Sequence, residues 1–66
     1  MKNKLKVERA ILNLTQSELA KKVNVSRQTI NSIENGKYIP STVLSLKISE
    51  VFNKAVNDIF TLDNDD

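Results

Sequence analysis

The chain lacks several residue types on which catalysis, metal binding and disulfide chemistry depend. Its 66 residues include no cysteine, histidine or tryptophan, one glycine and one proline. Disulfides are therefore excluded, and the usual zinc and haem ligands are missing. A single glycine does not supply the glycine-rich loops of P-loop and dinucleotide-binding enzymes. We predict that the protein is not an enzyme and binds no metal, cofactor or small-molecule ligand.

Long apolar runs are missing as well. No stretch approaches the length of a membrane-spanning helix, about 20 apolar residues. The N-terminal sequence MKNKLK has no apolar segment of the signal-peptide type. We therefore expect a cytoplasmic protein. A chain of 66 residues fits one domain, residues 1–66, with a small core. Without disulfides or metal, a homodimer is the remaining source of added stability.

Positive charge is concentrated outside the C-terminal end. Ten Lys and Arg face eight Asp and Glu, which gives a net charge of +2. Four of the acids lie in the last nine residues, so residues 1–56 carry +6. Such a region attracts phosphate groups, and salt is expected to weaken that attraction. The alternative is that the charge serves solubility alone.

The segment Leu14 to Gly36 predicts two short helices joined by a tight turn. Thr15 and Glu18 form a capping-box pattern, which starts a helix at Gln16. Asn24 tolerates the left-handed backbone that ends a helix. Ser26 is then a good N-cap and Gly36 a good terminator. The pattern predicts a motif over about 16–35 whose second helix spans about 27–35.

The second helix of this motif has one apolar and one polar face. At about 100° per residue, Ile30 and Ile33 fall on one side and anchor the helix to a core. The opposite side carries amide, hydroxyl and guanidinium groups from Arg27, Gln28, Asn31, Ser32 and Asn35. Arg, Asn and Gln are the side chains that grip base edges in the major groove. The alternative is an ordinary solvated face, although such faces are usually dominated by Glu and Lys pairs.

Three more helices are predicted around this motif. The first spans about residues 4–12, with Leu5, Arg9 and Leu12 on one face and Asn13 at its end. Pro40 and Ser41 open the fourth helix, which ends at Asn53 and has an apolar stripe formed by Leu44, Ile48, Val51 and Phe52. A last short helix covers about residues 56–60. The expected fold is all-α with five helices.

The segments LTQSELAKKVNVSRQTINSIENG, ENGKYIPS and NDIF resemble the lambda-repressor/Cro-like helix-turn-helix family, also called the xenobiotic-response-element family. The resemblance covers about residues 4–60 and is strongest to small stand-alone dimeric regulators of the cytolysin-operon repressor type. Three predicted helix ends carry asparagine where family members often have glycine, at Asn13, Asn24 and Asn53. We expect asparagine to be tolerated there.

The resemblance implies roles for individual side chains. Base contacts are expected from Arg27, Gln28, Asn31 and Ser32. DNA-backbone contacts are expected from Thr15, Gln16, Ser26, Thr29, Asn35, Lys37 and Tyr38. Of these, Thr15 is also needed for the capping box, and the Tyr38 ring has the alternative of packing on the fourth helix. Arg9 and Glu34 are expected to form a structural salt bridge.

The dimer contact is assigned to the C-terminal region around Val56, Phe60 and Leu62. Residues 2–4 are expected to pair with this region as a short β-ribbon; a frayed tail is the alternative. The implied function is a regulator, most simply a repressor, that binds an inverted repeat in double-stranded DNA as a homodimer. Activation of transcription through contact with the polymerase is an alternative. An antitoxin or protein-binding module is the other alternative, although only residues 63–66 lie beyond the expected fold.

Overall fold

The computed structural model describes residues 1–66 as five α-helices and a two-stranded sheet. In chain order the elements are β1 (Lys2–Asn3), α1 (Leu5–Ile11), α2 (Gln16–Val23), α3 (Arg27–Glu34), α4 (Thr42–Phe52), α5 (Val56–Ile59) and β2 (Phe60–Thr61). The predicted five-helix fold and the short β-ribbon are confirmed. None of the helices combines the length and apolar character needed to cross a membrane.

Local capping signals explain where most helices begin and end. The side chains of Thr15, Ser26 and Ser41 each accept a backbone N–H at the start of α2, α3 and α4. Left-handed backbones at Asn13, Asn24 and Asn53, with φ between 53° and 60°, follow α1, α2 and α4. A residue in this conformation ends the helix and allows the N–H groups that follow to donate to its last carbonyl oxygens. Helix ends therefore follow from short-range chemistry.

Some predicted bounds and faces need correction. Helices α1, α3 and α5 are one residue shorter at one or both ends than predicted, with Asn35 as the C-cap of α3. Phe60 belongs to β2 and not to α5. Leu12 lies on the surface with 49% of its area exposed, because it follows the last turn of α1 and nothing packs over it.

The core is one cluster of 11 buried apolar residues drawn from every helix. Helix α3 contributes Ile30 and Ile33, as its helical periodicity predicts, and α4 contributes Leu44, Ile48 and Phe52. Val51 of the predicted α4 stripe is only half-buried at the edge of this cluster. Apolar burial at about 25 cal/mol per Å² is the main force that holds α3 in place.

The β-ribbon joins the two ends of the described chain. Lys2 pairs with Thr61 and Asn3 with Phe60 in an antiparallel register. The Asn3 side chain accepts the Leu5 N–H at 3.1 Å and donates to the Ile33 carbonyl at 2.9 Å. The ribbon is therefore tied to the end of α3. Because local sequence carries no signal for a hydrogen bond across 30 residues, this contact was not predicted.

Candidate nucleic-acid interface

The turn between α2 and α3 sets the direction of α3. Asn24 has φ 60° and ψ 48°, a left-handed conformation that stops α2. Ser26 then accepts the Thr29 N–H at 3.1 Å, and the Ser26 and Thr29 hydroxyls lie 2.9 Å apart. Helix α3 is thus capped at its start and fixed on one side by Ile30 and Ile33, so its other side remains available to a ligand.

The four predicted base-contact residues share the outward side of α3. Arg27, Gln28 and Asn31 are exposed, and Ser32 is half-buried. None of the four belongs to the apolar core. The structure therefore presents guanidinium, amide and hydroxyl groups together on one helix face. These are the groups that recognise base edges in the major groove.

Most of the predicted backbone-contact residues line one polar groove beside that face. The groove is formed by six residues, Ser26, Gln28, Thr29, Ser32, Lys37 and Tyr38. Hydroxyl groups and a lysine ammonium are suitable partners for phosphate oxygens. Asn35 lies apart from these six as the exposed C-cap of α3. The structure thus brings most of the residues expected to hold the DNA backbone next to those expected to read bases.

Tyr38 separates this groove from a second groove. The second groove is lined on its far side by Val43, Leu44 and Lys47 of α4 and shares Thr29 and Tyr38 with the first. The tyrosine remains 47% exposed. It therefore packs beside α4 and still offers its hydroxyl to a ligand. Lys47 was not singled out from sequence, because an exposed lysine on a helix is not distinguishable from ordinary surface charge.

Thr15 is engaged in the capping box at the start of α2. Its hydroxyl accepts the Glu18 N–H at 3.0 Å, and its own N–H donates to the Glu18 carboxylate at 2.9 Å. The hydrogen bond from the Thr15 backbone N–H is the main cause that lowers the pKa of Glu18. Only the hydroxyl hydrogen of Thr15 is left to donate to DNA.

Arg9 and Glu34 form a salt bridge between α1 and α3. The Arg9 Nε lies 2.6 Å from Glu34 Oε2, and the Glu34 side chain is 5% exposed. Arg9 also donates to the Leu14 carbonyl at 2.8 Å in the loop before α2. Burial opposes ionisation of Glu34, but hydrogen bonds from Arg9 and Gln16 outweigh it and lower the pKa of this carboxyl. Glu34 is therefore ionised at neutral pH.

Gln16 connects this ion pair to the exposed face of α3. Its side-chain Nε2 donates to Glu34 Oε1 at 3.0 Å and to Asn31 Oδ1 at 3.2 Å. Its Oε1 accepts from the Arg27 guanidinium at 3.0 Å. These contacts were not predicted from sequence, since they join side chains 11 to 18 residues apart.

The three predicted dimer residues differ in their exposure. Phe60 is only 7% exposed because it packs in the core of its own chain, so it offers little surface to a second copy. Leu62 is 74% exposed and Val56 is half-buried. Val56 and the edge of Phe60 line a shallow, mainly apolar groove with Met1, Ile39, Pro40, Thr42, Ser45 and Leu46. Ile39 and Leu46 were not assigned to an interface from sequence.

A tight turn between two capped helices, with a polar face exposed on the second, defines a helix-turn-helix DNA-binding module. A helix-turn-helix family model matches residues 5–59 of the chain. The chain belongs to this family, the Cro/C1-type helix-turn-helix transcriptional regulators. It is a small regulator of transcription and not a member of an enzyme family.

Similar curated proteins agree with this assignment. An uncharacterised HTH-type transcriptional regulator from Methanocaldococcus jannaschii is 56% identical over 66 residues, which is all of both chains. The HTH-type regulator YgzD from Bacillus subtilis is 43% identical, and the match covers 98% of each chain. Both relatives therefore have nearly the same length as this chain.

Solved structures share the fold. The SOS-response transcriptional repressor LexA from Eubacterium rectale matches with a TM-score of 0.77 and 33% identity. The clp gene regulator ClgR from Corynebacterium glutamicum matches with a TM-score of 0.75 and 28% identity. Each match covers 82% of this chain and 57% of the other chain, so only part of those proteins is compared.

Proposed function

We propose that the protein is a transcriptional repressor that binds an inverted-repeat operator as a homodimer, with α3 in the major groove. The observation that carries the proposal is the polar face of α3 beside the groove that contains Lys37 and Tyr38. One face offers groups for base edges, and the adjoining groove offers groups for phosphates. A cytoplasmic location follows from this proposal, since the similar regulators come from an archaeon and a bacterium, whose DNA lies in the cytoplasm.

Residue roles follow from position. We assign base contacts to Arg27, Gln28, Asn31 and Ser32. DNA-backbone contacts are assigned to four residues of the first groove, Ser26, Thr29, Lys37 and Tyr38. They are also assigned to three residues outside that groove, Thr15, Gln16 and Asn35. For Thr15 the free group is the hydroxyl hydrogen, and for Gln16 it is the backbone N–H near the positive end of α2. Lys47 adds positive charge to the far side of Tyr38.

A dimer is proposed because one α3 covers only a few base pairs. Two copies related by a two-fold axis read two half-sites, with centres about 34 Å apart. We assign the contact to the apolar groove around Ile39, Leu46 and Val56, together with the exposed Leu62, which lines another groove with Phe60. Exposed apolar area of this kind is a common feature of subunit interfaces.

The simplest regulatory mechanism is occlusion. A dimer bound across a promoter blocks the polymerase, and protein concentration then sets the degree of repression. The name of one structural neighbour, the repressor LexA, supports repression over activation. No ligand is required by this mechanism.

The proposal is tested by selecting bound duplexes from a random pool at near-physiological salt, with Arg27→Ala in parallel. We expect an inverted repeat with about one helical turn between half-site centres, and a changed or lost preference in the variant. A footprint placed over the promoter and reduced transcription in vitro would support repression. A pool without enrichment would contradict DNA recognition and favour the antitoxin or protein-binding alternative.

A further inference from the structure

Gln16 uses every donor of its side-chain amide inside the protein. An amide NH₂ group has two hydrogens. In this chain one is donated to Glu34 Oε1 and the other to Asn31 Oδ1. The side chain is half-buried between α2 and α3. No side-chain N–H of Gln16 is therefore left for a phosphate, which leaves this side chain with a different role from the one its position first predicts.

The Glu34 carboxylate fixes which way the Gln16 amide points. An ionised carboxylate only accepts hydrogen bonds, so it requires the NH₂ group of Gln16 on its side. Arg9 holds that carboxylate through two hydrogen bonds, at 2.6 and 3.1 Å. The Gln16 carbonyl oxygen must then point the opposite way, where it accepts from Arg27 at 3.0 Å. The buried ion pair thus determines the position of an exposed guanidinium.

The same amide sets the orientation of Asn31. Because Gln16 donates to Asn31 Oδ1, the Asn31 Nδ2 group and both of its hydrogens remain for an external partner. Arg27 is a donor in every state. Two neighbouring side chains on the exposed face of α3, Arg27 and Asn31, therefore offer only hydrogen-bond donors to an external partner. Gln28 has no side-chain hydrogen bond within the protein and keeps both a donor and an acceptor free.

We propose that Gln16 and Glu34 are positioning residues for base recognition, which hold the Arg27 guanidinium in place and orient the Asn31 amide so that both present donors to hydrogen-bond acceptors in the major groove. The inference rests on the proposed function, because it assigns a preference to the same helix face. Guanine, with acceptors at O6 and N7, is the base that fits this pair best. Gln28, with both kinds of group, fits adenine at the neighbouring position.

The first test uses Gln16→Ala, which removes the link and leaves the Arg9–Glu34 ion pair in place. Competition binding compares the selected operator with duplexes in which single base pairs are changed, and with one that carries 7-deazaguanine, which lacks the N7 acceptor. We expect the preference at the Arg27 and Asn31 positions to fall at least fivefold. We also expect the preference at the Gln28 position to persist.

The second test uses Glu34→Gln, which puts an NH₂ group beside Gln16 and favours reversal of its amide. The carbonyl oxygen then no longer faces Arg27, so the same preference should fall. Because both changes break one connection, Gln16→Ala combined with Glu34→Gln should lose little more than either alone. Glu50→Gln is the control, since it makes the same charge change at an exposed carboxylate without a side-chain partner. Circular dichroism establishes that each variant is folded.

Two results would overturn this proposal in different ways. Equal weakening of all duplexes by Gln16→Ala would show that Gln16 contacts phosphate and does not position base-reading groups. Failure of the unmodified protein to prefer any duplex would overturn the proposed function, and this inference with it.

Discussion

At the residue scale, three asparagines adopt the left-handed backbone that glycine often provides at helix ends. Asn13, Asn24 and Asn53 all have positive φ, and each follows a helix. An asparagine in this conformation costs less than other residues with a side chain. The sequence was sufficient to predict these positions because the signal is local. The signal is an asparagine that directly follows a segment with helical spacing of its apolar residues.

Asn24 is the position at which this conformation matters for the DNA-binding motif. Asn24→Val places a β-branched residue at φ 60° and should destabilise the fold by about 1–2 kcal/mol. Asn24→Gly should be neutral or stabilising, since glycine adopts this backbone freely. Thermal unfolding of both variants measures the difference. Ser17→Val, at an exposed helical position of α2, is the control, and an equal effect of the two valines would contradict the argument.

Glu34 should make the stability of the protein depend on pH in the acid range. Its pKa in the folded chain is lowered from the ordinary value of 4.5 despite its burial, because Arg9 and Gln16 donate to it. Because the pKa of Glu34 is lower in the folded chain than in the unfolded chain, its ionised carboxylate stabilises the fold fully at pH values above about 4.5. This stabilisation is lost as the pH falls from about 4.5 towards the pKa of Glu34 in the folded chain. Urea unfolding between pH 7 and pH 3 should therefore show a smaller loss for Glu34→Gln than for Glu50→Gln. Identical pH profiles would assign the acid sensitivity to other carboxyls.

Arg27 and Lys37 should differ in how their loss affects binding. Arg27→Ala should remove about 1–3 kcal/mol of discrimination at one base-pair position per half-site, because a guanidinium reads base acceptors. Lys37→Ala should weaken all sequences alike and reduce the slope of log K against log salt by about one. Titrations at several salt concentrations separate these effects. Lys22→Ala removes the same charge from the end of α2, and it should leave the slope nearly unchanged.

At the scale of elements, long-range contacts connect helices that the local signals define. Helix limits follow from caps and apolar spacing, so they were predicted to within one residue except at the start of α4, which lies at Thr42 and not at Pro40. The Asn3 contact with Ile33 and the Gln16 contacts were not predicted, since nothing local marks them. Leu12 was expected on the packed face of α1 and is exposed, because its burial depends on whether another element covers the end of that helix.

Glu8 of α1 and Lys54, between α4 and α5, form one such contact. The Lys54 Nζ lies 2.9 Å from Glu8 Oε1, and the Glu8 side chain is 7% exposed. Lys54→Met keeps the apolar stem and leaves a buried carboxylate without its partner. We expect a loss of about 1–3 kcal/mol, since an unpaired buried acceptor carries its full desolvation cost. Denaturant unfolding measures this loss of stability. Lys47→Met is the control, because Lys47 has no salt bridge. Equal stability of the two variants would contradict a stabilising role for the Glu8–Lys54 salt bridge.

At the scale of the whole molecule, the acidic C-terminal end, the polar groove beside α3 and the apolar groove around Leu46 are formed by different residues. Basic residues occur throughout residues 1–56, whereas four acids lie in the last nine residues. Asp63 lies 3.7 Å from the Lys2 ammonium at the β-ribbon and does not line the groove that contains Lys37. The apolar groove around Leu46 is formed by different residues again. The sequence predicted the basic character, but this apolar groove depends on how α4, α5 and β2 pack.

Leu46 offers the sharpest test of the proposed dimer. It is 53% exposed on α4 and lines the apolar groove with Ile39 and Val56. Leu46→Lys places a charge where two copies would meet, and the desolvation of that charge should shift the protein towards monomers. Sedimentation equilibrium measures the change in assembly.

Val7→Lys is the matched control, because Val7 is 57% exposed and lies outside the groove. In DNA binding, Leu46→Lys should lose most of its affinity for the full inverted repeat while its affinity for a single half-site stays the same. The reason is that the variant keeps α3 and loses only the coupling between two copies. If Leu46→Lys and Val7→Lys assemble alike and bind the full site alike, the dimer contact lies on another face.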